Sequence, residues 1–171
     1  LVNAMTLPYL GREVARMTAP ASDDEARKRI TSIAISGEPI VLIDDIAGSL
    51  GSPSLDSALT ATTWSDRVLG RSELSGAMPL DVTWYATGNN VVLRADTARR
   101  CLHVRLESPH GNPEGRHDFQ HKDLEGWVRV QRGRLAKAAL TILRAYCAAG
   151  RPDMNLPAWG SFEGWSRLVR Q

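Results

Sequence analysis

Residues 40–45 read Ile40-Val41-Leu42-Ile43-Asp44-Asp45. A short all-apolar run rich in β-branched residues describes a strand covered on both faces, and such strands belong to parallel sheets. The run ends in paired carboxylates. In open α/β sheets the carboxyl ends of the strands form the edge where ligands bind. One carboxylate there can hold Mg²⁺, usually through water, and the next can orient or deprotonate an attacking water. An ordinary strand end with a solvated Asp pair at a turn has the same sequence.

Upstream, Ser22-Asp23-Asp24-Glu25 has the S-x-x-E form of a capping box, with three acids near a helix N-terminus. Ala26, Ile30, Ile33 and Ala34 follow at helical spacing, and Gly37 with Pro39 closes the helix. Residues 1–10 read as the remainder of an apolar helix ending near Gly11, with Pro8 kinking or terminating it. Leu1 has no capping residue before it, so the chain is expected to be a fragment of a longer protein.

Downstream, a Gly/Ser/Pro loop over 48–54 leads to a short helix with Leu55, Ala58 and Leu59 on one side. Residues 63–80 are mixed and polar, which predicts a hairpin or long loop. Val82 to Thr87 predicts a second strand ending in Gly88-Asn89-Asn90. Leu102, Val104 and Leu106 alternate with Cys101, His103 and Arg105, which predicts a third, half-exposed strand. Asp123 can cap a helix with the apolar face Leu135, Ala138, Ala139, Ile142, Leu143 and Tyr146, closed by Gly150 and Pro152. Its Arg129, Arg132, Arg134, Lys137 and Arg144 form a basic solvated face or a DNA contact. Trp159, Phe162 and Trp165 mark an aromatic tail expected to pack on that helix.

Composition sets outer bounds. The 171 residues fit one domain, or one with a trailing helical piece, and 43% apolar content can build a core. A net charge of +2 does not identify a nucleic-acid partner by itself. Cys101 and Cys147 form no C-x-x-C pair and read as free thiols of a reduced, cytoplasmic protein. His117 and His121 lack a third ligand. No apolar run is long enough to span a membrane, and the N-terminus lacks a signal-peptide layout.

Two further features follow the acid pair in order. In Trp84-Tyr85-Ala86-Thr87-Gly88-Asn89-Asn90, an amide at a strand tip can orient a lytic water, although Gly-Asn-Asn also suits a plain turn. In Asp96-Thr97-Ala98-Arg99-Arg100, an arginine can stabilise charge on a transferring phosphoryl group, or simply bridge at the surface.

Together with Leu59-Thr60-Ala61-Thr62-Thr63-Trp64-Ser65-Asp66-Arg67, these segments resemble the AAA+-like ATPase core of superfamily III and poxvirus-type primase-helicases, closest to those of phages and integrative elements. The resemblance covers roughly residues 1–110. It implies a three-layer P-loop NTPase fold with a mostly parallel sheet, a partial core over 1–108 and a helical lid over 109–171. It implies Asp44 and Asp45 as Walker B acids that bind Mg²⁺ and ATP, Asn89 or Asn90 as sensor 1, and Arg99 and Arg100 as an arginine-finger pair. Arg67 and Arg71 fall where these helicases place a hairpin into a DNA channel, and phosphate contact would suit them. A solvated loop would suit them too.

The chain departs from the family in one place. No G-x-x-x-x-G-K-[ST] occurs. That loop cradles the phosphates and supplies Lys and Ser/Thr. The first strand and P-loop are therefore expected to be missing, and nucleotide is not expected to bind tightly. The lost strand would lie between the Walker B and sensor strands, so the gap should close by a strand shift or be filled by a partner. The expectation is an inactive fragment of an ATP-dependent DNA helicase, which in its parent binds single-stranded DNA and forms a homo-oligomeric ring. The alternatives are a degenerate, non-catalytic AAA+-like domain binding DNA or protein, and a nucleotide-dependent switch or loader.

Overall fold

The computed structural model describes residues 1–67, 74–108 and 115–170. In chain order its elements are α1 (Val2–Leu10), β1 (Ala15–Thr18), α2 (Asp23–Ser36), β2 (Ile40–Leu50), α3 (Pro53–Ala58), β3 (Thr63–Trp64), β4 (Met78–Pro79), β5 (Thr83–Leu93), α4 (Ala95–Ala98), α5 (Leu124–Ala148), α6 (Glu163–Trp165) and a π-helical turn, Ser166–Arg170. They form two compact units: Leu1–Glu13 with Leu102–Pro152, and Val14–Cys101 with Asp153–Gln171. The segment after residue 108 contributes to both.

The second unit is α/β. Its three-stranded sheet has the order β1-β2-β5, and both pairings are parallel. Ile40, Val41, Leu42 and Ile43 are all buried, as the unbroken apolar run requires of a central strand. Capping fixes α2. The Ser22 hydroxyl accepts the Glu25 N–H at 3.2 Å, and Gly37 takes the left-handed conformation at φ 64° and donates to Ile33 O. The buried face of α2 is Ala26, Ile30, Thr31 and Ala34. Ile30 and Ala34 pack with Ala58 and Leu80, flanked by Trp64, Val82 and Trp84. A second cluster holds Ile43, Ile46, Leu50 and Leu55.

Within 63–80, where a hairpin or long loop is expected, the described residues pair antiparallel. Thr63 pairs with Pro79, Trp64 with Met78, and an isolated bridge joins Arg67 to Leu74. This pairing is tied to α2 through the buried Asp66. That carboxylate accepts from Thr31 Oγ1 at 2.7 Å, Arg27 Nη1 at 2.5 Å and the Arg67 N–H at 2.7 Å. The Trp64 indole N–H in turn donates to Thr31 Oγ1 at 2.9 Å. Burial pushes the Asp66 carboxyl up, but Thr31, the Arg67 N–H and Arg27 together outweigh it and hold it below the usual range. A lowered folded pKa gives stability that is present above the unfolded value and is lost as pH falls through the folded one. We therefore expect Asp66→Asn to cost about 1–3 kcal/mol at neutral pH. It should also flatten the loss of stability below about pH 4, read by denaturant melts across pH.

Two sequence expectations need correction. Residues 102–108 form no strand: Leu102, Val104 and Leu106 are exposed, because alternation supplies a face but no partner edge. The second strand does not end at Gly88-Asn89-Asn90 but runs through them to Leu93. The first helix ends where expected, at Leu10 before a left-handed Gly11, and Pro8 lies inside it without terminating it. The first unit pairs α1 with α5. The Asp123 carboxylate caps α5 by accepting the Gly126 N–H at 2.8 Å.

Candidate functional site

β2 and β5 pair directly, with no strand between them. The sheet shows no gap between them. The pairing is interrupted twice. Ile43 faces Ala86 and Ile46 faces Gly88, so Asp44 and Asp45 together oppose Thr87 alone. Ala47 then faces Asn89 while Ser49 faces Val92, so Asn90 and Val91 together oppose Gly48 alone. Each strand thus carries one β-bulge, and the second restores the register that the first shifted. Leu50 returns opposite Leu93, and Ile46 and Leu50 stay in the core.

The bulges explain why these residue types stand here. Asp45 has φ 57° and Asn90 φ 52°. Asp and Asn are the non-glycine residues that best tolerate the left-handed region. Bulges re-aim side chains and are common beside active sites.

Around Asp44 the geometry is specific. The Thr87 hydroxyl on β5 donates to one carboxylate oxygen, and Arg16 Nη1 on β1 lies 3.1 Å from the other. Thr87, aided by the Arg16 charge, holds the Asp44 carboxyl below the usual range. β1 ends at Thr18, in register with Asp44, and its last carbonyl accepts from Arg29 Nη1 at 2.8 Å. The acid therefore sits at the carboxyl end of β1 but within β2, which continues to Leu50. This corrects the expectation of an acid pair at the strand end. Asp45, Asn89 and Asn90 are exposed.

The arginine pair forms a separate cluster. Arg100 is nearly buried, its side chain 14% exposed. It donates to the Asp56 carbonyl and to Thr60 Oγ1 at 2.7 Å, and its Nη2 lies 3.0 Å from Asp96. Thr97, fully buried beside it, donates to the Asp56 carboxylate. Arg99 instead is 61% exposed and meets Asp96 alone by side chain. Its carbonyl accepts the Trp159 indole N–H at 2.7 Å. Among the described residues no hydrogen bond or ion pair joins this cluster to Asp44 or Asn89. Arg67 is exposed at the hairpin base, and Arg71 lies outside the described residues.

Sequence reading missed Arg16 and the part played by Thr87. Thr87 stands inside the Trp84–Asn90 motif; Arg16 carries no local signal, since its partner is distant in the chain.

Mg²⁺ and ATP do not fit the residues present as they stand. The sequence offers no phosphate cradle. The Asp44 carboxylate is already shared between a guanidinium and a hydroxyl. Among the described residues no three His, Cys, Asp or Glu side chains cluster as metal ligands. Among those residues no helix is long and apolar enough to cross a membrane. No protein-family model, curated protein or solved structure matches the chain.

Proposed function

We propose that this chain is the acid, sensor and finger part of an AAA+-like P-loop ATPase core of the superfamily III helicase type, inactive by itself. The observation that supports it is the pair of opposed bulges. They set Asp44-Asp45 and Asn89-Asn90 close together on adjacent parallel strands, with Asp44 bonded to Thr87. In this reading Asp44 and Asp45 are the Walker B acids, and Asn89 or Asn90 is the sensor. Arg99 is the finger, and Arg100 is its structural support. ATP, Mg²⁺, single-stranded DNA and a homo-oligomeric ring belong to a cytoplasmic parent protein that supplies the phosphate loop. Arg67 and Arg71 would meet DNA phosphates there.

One observation favours a second reading. The Arg16–Asp44 ion pair leaves the acid already neutralised, which suits a degenerate domain that binds DNA or protein without turnover.

The test is a titration with a fluorescent ATP analogue and Mg²⁺. The expected result is no saturation up to millimolar nucleotide. Saturable binding that is lost in Asp44→Asn would overturn the inactivity of this chain. Adding a P-loop segment upstream then separates the two readings. Turnover lost in Asp44→Asn supports the ATPase, and persistent inactivity supports the degenerate domain.

A further inference from the structure

The long helix α5 carries cations and almost no acid. From Gly126 to Pro152 the chain has Arg129, Arg132, Arg134, Lys137, Arg144 and Arg151, and no Asp or Glu. Those six exceed the net charge of +2 for the whole chain, so the remainder is net acidic. Charge segregated in this way is the footprint of an anionic partner.

Two of these cations are used within their own unit. Arg129 Nη2 lies 3.3 Å from Glu13, and Arg132 Nη2 donates to the Tyr9 carbonyl at 3.3 Å. Arg134, Lys137 and Arg144 are exposed, and among the described residues no acid pairs with them. Arg134 Nη1 donates to the neutral Gln131 amide at 2.9 Å. At 3.6 residues per turn the three lie within about 80° of one another around the helix, stepped by about 4.5 and 10.5 Å along it. The acids just before them do not offset the column. The Asp123 carboxylate caps the helix, and Glu125 falls on the side opposite Arg134.

The head of the column is aromatic. Trp127 precedes Arg134 by seven residues and so shares its side of the helix. It is 36% exposed and stacks on His121, with ring centroids 4.3 Å apart and planes 20° apart. A stacked ring in line with unneutralised cations suits a single strand, whose phosphates meet the cations while a base extends the stack. A duplex keeps its bases inside and offers none to the ring without flipping one out. A lipid surface takes up an apolar face with cations beside it. Here Lys137 is turned about 140° away from the exposed Ile142, so one surface cannot engage both.

We infer that the face of α5 formed by Trp127, Arg134, Lys137 and Arg144 binds single-stranded nucleic acid. The three cations hold the phosphate backbone, and the Trp127–His121 stack receives a base. So few phosphate contacts make a weak, salt-sensitive site, and contacts of this kind do not read sequence. The face needs no nucleotide and does not rest on the ATPase reading.

Fluorescence anisotropy of a labelled oligothymidine of about 15 nucleotides, titrated with the full chain at low salt, tests it. Saturable binding is expected, with a log–log salt slope of about −2 for three contacts. Lys137→Gln with Arg144→Gln should weaken binding at least about tenfold and bring the slope to about −0.7. Trp127→Leu should weaken it about fivefold or more and leave the slope unchanged, since it removes a stack and no charge. Lys28→Gln with Arg105→Gln removes the same charge from exposed sites elsewhere and should change neither. An unchanged far-UV spectrum in each variant shows that it is folded. No saturation at low salt would overturn the inference. So would a Lys137, Arg144 double variant that keeps the parent's affinity and slope, binding lost instead in Arg67→Gln, or equal binding of polyglutamate or of phosphatidylserine vesicles.

Discussion

Gly88→Ala is expected to destabilise the chain by about 2–4 kcal/mol. Gly88 faces Ile46 across the β2–β5 ladder, just past the first bulge. A Cβ there would collide with the Ile46 carbonyl oxygen, and would also lie 2.7 Å from Val91 Cγ2 and 3.0 Å from Ile46 Cβ. Val91 is a side chain and can turn. The Ile46 carbonyl is backbone and can retreat only by opening the pairing between the acid bulge and the amide bulge. The cost is therefore steric and belongs to the folded state, not to glycine's freedom in the unfolded chain. Gly76→Ala is the control. It sits in open space with no strained backbone angle, so it should be neutral or slightly stabilising. Urea denaturation of the two variants reads both. If Gly88→Ala melts within about 0.5 kcal/mol of the parent, the close direct pairing of β2 with β5 is wrong.

The same glycine shows what was legible in the sequence and what was not. Ile40 to Ile43 announced a central strand because both of its faces are covered, and burial is a property each residue carries in its own side chain. Ser22, Gly37 and Asp123 announced their helix ends because caps are local chemistry. The bulges were not legible. Asp-Asp and Asn-Asn read as strand ends because turn residues and left-handed bulge residues are the same types. Only the register across two strands, 43 residues apart at Asp44 and Thr87, separates the two cases. The strand expected over 101–106 failed for the converse reason. Its alternation was local, but a strand also needs an edge to pair with, and none among the described residues meets it. Within the candidate site the acids and amides were therefore visible as residue types. Their neighbours Arg16 and Thr87 became visible only through pairing.

The two arginines of the finger segment should separate cleanly. Arg100→Ala is expected to cost about 2–4 kcal/mol. It removes charged hydrogen bonds to the Asp56 carbonyl and Thr60, breaks the contact with Asp96, and opens a space where α3 meets α4. Asp56 would also lose part of what fixes it against the buried Thr97. Arg99→Ala should change stability by less than about 0.5 kcal/mol, since an exposed bridge to a neighbouring acid is worth little. Its backbone contact with Trp159 survives the substitution, because the carbonyl and not the side chain accepts that bond. Only an exposed guanidinium can reach another subunit, so the proposed function requires the reverse order in activity. In a chain extended to include a P-loop, Arg99→Ala should abolish assembly-dependent turnover while the melt stays unchanged. Mixing it with subunits that keep Arg99 but carry Asp44→Asn should restore part of that turnover, because the two lesions then fall in different sites. A melt lowered by Arg99→Ala and untouched by Arg100→Ala would reverse the assignment. An unchanged melt with full turnover in Arg99→Ala would leave Arg99 as a surface residue and remove the finger from the proposed site.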